Sequence, residues 1–325
     1  MTRKELLLMT APVRENVEIP YHDLGPDSSL PEISLVAALH GDEINGTYIL
    51  ARLADFLRSV EEGKYPELKL RKRVLIIPAV NVMGINTRSR CWPFDKNDLN
   101  RMFPGSPHGE TTQRIAYAVL EATKRSRYRI DIHSSSADFE ELPQVRVYYP
   151  SEAEKKGALR FGLTAIMERR PGPVFSTTLM NSWKVWPGES YLLTVGHAGN
   201  IQLNHCQEVF KALVSFLGQT GILEGVNIEE GDHGVFYFTR DHESKVYAEQ
   251  AGMFVSDSRV GRWVNKGQEL GYIYDSFNGN VHTKVVAPVT GLLTGIRRQP
   301  LLFEGELLLR VCTKEAISLR LKNQG

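Results

Sequence analysis

His40 and Glu43 stand three residues apart in Leu35–Gly46, LVAALHGDEING, and His133 closes the run Tyr128–His133, YRIDIH. Two imidazoles and a carboxylate are the donor set of a catalytic zinc site, which keeps a fourth position open for water. Zinc held this way lowers the pKa of water to about 7, so the chemistry implied is metal-assisted hydrolysis. Cobalt accepts similar ligands. An HxxE pair alone is an ordinary pattern, because short motifs match by chance. What gives it weight is where the residues sit.

The run Ile33–Leu39 is apolar and short, the signature of a buried strand. Asn45 and Gly46 then open a helix over residues 45–62, with Ile49, Leu50, Leu53, Phe56 and Leu57 at helical spacing. His40 and Glu43 therefore fall at a strand-to-helix turn. Arg73–Val80, holding Val74, Leu75, Ile76 and Ile77, reads as a second continuous strand, and Tyr128–His133 as a third that ends on its histidine. Strand–helix–strand spacing predicts a parallel sheet flanked by helices. Ligand sites in such sheets gather at the carboxyl ends of strands, where both histidines belong. Asp131 lies two residues before His133, and i and i+2 on a strand face the same way. It either supports the His133 ring or bonds backbone.

A long irregular stretch runs from Asn81 to Gly109. Loops of this length inside compact domains are usually functional or disordered. Arg88, Arg90 and Arg101, four asparagines (81, 86, 97, 100) and Trp92, Phe94 and Phe103 make it a binding loop. Further on, Thr111–Arg125 reads as a helix, Val145–Tyr149 as a strand, Glu152–Glu168 as a helix, Tyr191–Val195 as a strand and Ile201–Leu217 as a helix. Past Leu223 the composition changes to short apolar runs between glycine turns. Val246–Ala248, Met253–Val255, Glu269–Tyr274, Lys284–Ala287, Leu292–Ile296 and Leu307–Val311 fit a small all-β barrel or sandwich. The expected division is an α/β domain over residues 1–228 and a β domain over 229–325.

At 325 residues, 42% hydrophobic and 24% charged, the chain has the composition of a soluble globular protein with a sizeable core. The net charge of +1 gives no footprint for nucleic acid. No window approaches a membrane span of about 20 apolar residues, and Leu6–Met9 is too short for a signal-peptide core. Cys91, Cys206 and Cys312 form no CxxC or paired framework, which points to reduced thiols and a cytoplasmic location.

His40-Gly41-Asp42-Glu43, then Asp98-Leu99-Asn100-Arg101-Met102-Phe103-Pro104-Gly105, then Asp131-Ile132-His133 resemble, in order and spacing, the succinylglutamate desuccinylase/aspartoacylase family, part of the wider zinc carboxypeptidase-like group. The tail, Gly261–Gly271 and Ala287-Pro288-Val289-Thr290-Gly291, is similar to the small β domain of bacterial members. The resemblance implies a mixed, mostly parallel sheet with a C-terminal barrel-sandwich domain. It also implies one Zn²⁺ per chain on His40, Glu43 and His133, and a deacylase cleaving the amide of a small N-acyl amino acid or related compound. By the same resemblance Asn100 and Arg101 clamp the substrate, the arginine's planar fork suiting a carboxylate. Arg90, which precedes Trp92-Pro93-Phe94-Asp95, polarises the scissile carbonyl; Arg88 is its neighbouring competitor. Neither nucleic acid nor membrane is an expected partner, and a homo-oligomer is left open. The Ala-Pro-x-x-Gly pattern also occurs in lipoyl and biotin carriers, but Lys284 sits too close to Ala287 to be a modified hairpin-tip lysine.

Active members carry a general-base glutamate in a Thr-Val-Glu-like context. Here Leu193-Thr194-Val195-Gly196-His197 puts Gly196 at that place. A positioned base contributes about 10²–10⁴-fold, so the gap motivates a second reading, a weak or inactive member that binds zinc and a small carboxylate. The compensating candidates are His197, whose imidazole can accept a proton, and Asp138, Glu140 and Glu141 in a loop after His133. Glu189 lies about 20 Å back along the strand.

Overall fold

In the computed structural model, residues 4–10, 16–227, 234–313 and 317–319 are described. The expected domain boundary at 228/229 lies outside them. The fully buried run Ile33–Ala37 is a central strand for the reason its composition gives: both faces are covered. In chain order the elements are β1 (Lys4–Met9), β2 (Val17–Leu24), β3 (Ile33–Ala37), α1 (Ile44–Glu61), β4 (Val74–Ile77), α2 (Val82–Thr87), α3 (Thr111–Thr123), β5 (Tyr128–Ser135) and β6 (Phe139–Tyr148). They continue with α4 (Glu152–Leu159), β7 (Ala165–Arg169), α5 (Leu179–Lys184), β8 (Glu189–His197) and α6 (Leu203–Gln219).

Strands β4, β3, β5 and β8 pair in parallel, and β2 and β6 close this block on either side with antiparallel pairing. Alternate residues of the strands go to opposite faces. Ile33, Leu35, Ile130, Ile132, Leu193 and Val195 pack under α1 and α6. Val36 and Ile77 belong to a second cluster with Trp92, Leu99, α3 and Trp183 of α5. His133 lies on that second face, where the covering layer gives way to a cavity.

Two expectations are corrected. Glu152–Glu168 is not one helix: α4 stops at Leu159, Gly162 takes φ +68°, and Ala165–Arg169 becomes a strand parallel to β6. Glycine supplies that left-handed residue without steric cost, and Ile166 and Met167 are then buried in the sheet. Likewise Glu140 and Glu141 lie on β6 rather than in a loop, because Phe139–Tyr148 pairs with β8 on one side.

The C-terminal region adds β9 (Val235–Phe238), β10 (Glu243–Tyr247), β11 (Gly252–Val255), β12 (Glu269–Tyr274), β13 (Val281–Val286), β14 (Gly291–Arg297), β15 (Leu301–Leu302) and β16 (Leu307–Thr313). Strands β13, β12, β11 and β15 form a sheet of their own. Strand β14 instead pairs with the first residues of β6, Gly295 opposite Glu141, and β16 and β10 follow outward. The two layers share a core of Phe254, Leu270, Ile273, Leu293, Ile296 and Leu309. This is the sandwich expected for the tail. No closed barrel occurs among the described residues, because β10, β14 and β16 continue the main sheet.

Candidate metal centre

Strand β3 ends in a tight turn. Ala38 adopts φ +52°, and its carbonyl accepts from Asn81 N–H at 2.8 Å. Gly41 then passes so close to Gly84 that an added Cβ would lie 2.2 Å from its carbonyl carbon. The Gly41 N–H and the Asn81 amide both donate to the Arg90 carbonyl, at 3.1 and 3.2 Å. The turn carrying His40 and the loop carrying Arg90 are thereby locked together.

Glu43, buried just before α1, is the hub. Its Oε1 lies 2.7 Å from His40 Nδ1 and accepts from Arg90 Nη1 at 3.0 Å. Its Oε2 lies 2.8 Å from His133 Nδ1 and accepts from the Ser134 N–H at 2.9 Å. Strand β5 brings His133 there from ninety residues away, and ligand atoms of His40, Glu43 and His133 all lie within 4.8 Å of one another.

The outer nitrogens of the two rings are held as well. Asp98 Oδ1 is 2.9 Å from His40 Nε2, and Asp131 Oδ2 is 2.8 Å from His133 Nε2. A neutral imidazole has one N–H. If Nε2–H is donated to the outer carboxylate, Nδ1 presents a lone pair to Glu43, which is itself an acceptor. Acceptor facing acceptor in a buried site requires a cation between them. The donor set, two imidazole nitrogens and a carboxylate with carboxylates behind the rings, fits a divalent metal such as zinc. Without the metal, protons serve that purpose. Burial disfavours the charged ring of His133, but Asp131 and Glu43 outweigh it and hold its pKa well above the usual imidazole value. His40 is raised for the same reasons, by Glu43 and Asp98. Burial would raise Asp98, but its bond to His40 and the charges of Arg101 and Arg90 bring it down to about 2.

The cavity on this face encloses about 610 Å³, and its walls include His40, Asp42, Glu43, Arg90, Asn100, Arg101 and His133. Asn100 Nδ2 is 3.5 Å from His133 Nε2, and its Oδ1 accepts from the Leu179 N–H, which ties the loop to α5. Arg101 donates to the Asn100 carbonyl at 2.9 Å and makes no ion pair among the described residues. Arg88 sits exposed at the end of α2 with φ +53° and is absent from the cavity wall, so of the two arginines only Arg90 reaches the centre.

The β8–α6 turn behaves differently. His197 is not on the cavity wall, and its Nδ1 lies 2.8 Å from the Ala198 carbonyl oxygen. Gly196 takes φ +58°, and a Cβ there would lie 2.3 Å from Gln202 Oε1 and 3.3 Å from His205. A side chain at 196 would point into α6, so the glycine leaves no gap at the metal centre. Glu189 is bonded to Tyr191 at the opposite end of β8. Glu140 pairs with His205 and Arg298. Glu141 does line the cavity, but Arg146 and Arg310 both engage it, and against the effect of burial these arginines keep its pKa below the usual carboxylate value.

Sequence reasoning overlooked three features. Asp98 is visible only as the first residue of the Asp-Leu-Asn-Arg motif. Thr194 stands opposite His133 across β5 and β8, with its hydroxyl buried and unpartnered. Asp42 lines the cavity with Oδ1 buried and unpartnered, and its pKa is raised by burial and by Glu43.

Residues 29–185 match the family model described as the succinylglutamate desuccinylase/aspartoacylase catalytic domain. The chain is 26% identical over 260 residues to an N-alpha-acetyl-L-2,4-diaminobutyric acid deacetylase of Halomonas elongata, covering 77% of this chain and 72% of that protein. Among solved structures, a succinylglutamate desuccinylase/aspartoacylase from Rhodobacter sphaeroides superposes with a TM-score of 0.73 at 21% identity, covering 94% of this chain and 93% of that one. The product-bound ectoine utilization protein EutE (DoeB) of Ruegeria pomeroyi gives 0.73 at 22%, over 92% and 90%. A family protein from Shewanella amazonensis gives 0.77 at 15%, over 98% and 100%. At these identities the structural likeness establishes the fold.

Proposed function

Because the chain belongs to the succinylglutamate desuccinylase/aspartoacylase family, we propose that it is a zinc-dependent amidohydrolase that removes the acyl group from a small N-acylated amino acid. The observation that carries this is the convergence of His40, Glu43 and His133 within 4.8 Å, with Asp98 and Asp131 behind the two rings. A divalent ion bound there supplies a Lewis acid that makes water nucleophilic near neutral pH and polarises a carbonyl.

The chain's own residues do the rest. Arg90, 44% exposed and donating to Glu43 Oε1 at 3.0 Å, is placed to donate to oxygen charge developing on the scissile carbonyl. Arg101, which makes no ion pair among the described residues, offers its guanidinium to the substrate carboxylate, and Asn100 sets its height on the wall through the Leu179 bond. Asp42, on the cavity wall with Oδ1 unpartnered, is the carboxylate available to accept a proton there; burial and Glu43 raise its basicity. Asp131 and Asp98 keep the ring Nε2–H bonds fixed, so both Nδ1 lone pairs face inward. Three unpaired cysteines suit a reducing compartment, in keeping with a cytoplasmic location.

The relative from Halomonas elongata is a deacetylase of Nα-acetyl-2,4-diaminobutyrate, so that compound heads the test panel, with N-acetylaspartate and N-succinylglutamate. Protein carrying one equivalent of zinc should hydrolyse at least one of them, and chelation should abolish turnover reversibly. No turnover on any amide by fully loaded protein would overturn the proposal.

A further inference from the structure

The cavity extends well beyond the metal corner. Across the sheet Asp131 stands opposite Leu192, Leu192 opposite Arg146, and Arg146 opposite Met167 of β7. Three inter-strand steps of about 4.8 Å separate β5 from β7 by roughly 14 Å. The far wall is built from Arg146, Arg169 and Arg170 with Tyr148 and Phe175, whose rings stack at 4.7 Å. Leu192 lies between the two ends, and Met180 also lines the cavity.

The charges along this cavity do not balance. Six arginines line it (90, 101, 146, 169, 170 and 310) against three carboxylates, Asp42, Glu43 and Glu141. Glu43 faces Arg90, Glu141 lies between Arg146 and Arg310, and Glu243 behind the wall takes Arg169. Arg101 and Arg170 have no carboxylate partner among the described residues. The Nε–H groups of Arg146 and Arg310 are also buried without an acceptor. Excess positive charge thus sits at two separated places, with Leu192 between them.

We propose that the cavity takes an extended substrate: the scissile amide at the metal corner, and a second carboxylate at the far end, held by Arg170 with Arg146 beside the Tyr148–Phe175 pair. Such a substrate is longer than an acetylated single amino acid, because one residue spans only about 3.5 Å. The planar guanidinium fork selects a carboxylate over a neutral polar end. This rests on the metal-corner reading for the position of the amide only.

Length selection can be read by calorimetry on the full-length, zinc-loaded protein with succinate, adipate, suberate and sebacate, and octanoate as the apolar control. Suberate or sebacate should bind about fivefold tighter than both succinate and octanoate. Arg170→Ala should erase that advantage, and Arg170→Lys should keep part of it; Arg170 is exposed, so both variants should fold, which circular dichroism checks. Octanoate binding as tightly as suberate, or an Arg170→Ala protein that still prefers the long diacid, would overturn the distal site. Failure of amide hydrolysis with the diacid preference intact would instead remove the proposed function and leave the distal site standing.

Discussion

Two strand-to-helix turns lie at the same rim of the sheet. The β3–α1 turn sends His40 and Glu43 into the cavity. The β8–α6 turn, one strand beyond β5, carries Gly196 and His197 and sends neither. Residue types at both turns suit hydrolytic chemistry, so composition does not separate them. The direction of the last strand residues does. At the first turn Ala38 reverses the chain over the face that holds His133. At the second, Gly196 takes a left-handed φ, and Asn45 captures the carbonyls of Val195 and His197, each at 3.1 Å. Asn45 also meets Gln202 Oε1 at 2.7 Å, so the turn is folded onto α1 and α6 as support for the centre.

The sharpest break of that contrast is to exchange the turns' roles by mutation. His40→Ala or His133→Ala should lose bound zinc and lower hydrolysis by at least about 10³-fold, whereas His197→Ala should stay within about threefold. Plasma emission metal analysis beside steady-state rates reads both; equal losses at the two turns would erase the distinction. Asn45→Ala comes next. Asn45 is fully buried and its loss strands several backbone groups, so stability should fall by about 3 kcal/mol in denaturant titration. Gly196→Glu should cost about 2 kcal/mol, from the positive φ and the clash with Gln202, and should not raise turnover. A gain in rate would place position 196 at the centre after all.

The smallest effect concerns the first turn of α6. His205 on that turn bonds Glu140 at 2.7 Å. Burial would raise the Glu140 pKa, but His205 and Arg298 bring it down from the usual 4.5 to about 2. A depressed carboxylate stabilises the fold fully above its unfolded pKa, and that contribution fades as pH falls from 4.5 through 2. The loss is at most about 3 kcal/mol, and about 1–2 kcal/mol once residual solvent screening is counted. Urea midpoints between pH 5 and pH 3 should fall less steeply in Glu140→Gln than in the parent protein.

The meeting of His40, Glu43 and His133 was legible because its information is local. An apolar run ending in histidine is a strand end, and side-chain parity put Asp131 beside His133, where the structure has it. The family resemblance added the order of the motifs and a fold that the structure bears out. What stayed hidden was non-local or conformational. Glu141 and Arg310 meet across 169 positions, and no periodicity announces that. Gly162 breaks what looks like one helix because its backbone, not its neighbours' polarity, sets the turn. The place of Gly196 in a motif suggested a missing base, while its φ angle turns that position toward α6.

Strand β14 lies along the first residues of β6, and Arg310 of β16 reaches the cavity beside it. The tail is therefore structurally part of the same body as the α/β sheet. A protein cut off before β10 would expose bare peptide groups along Phe139–Glu141 and leave one of the Glu141 salt bridges unmade. Such a fragment should aggregate through that open rim, whereas a chain merely nicked by protease between the two halves should stay assembled.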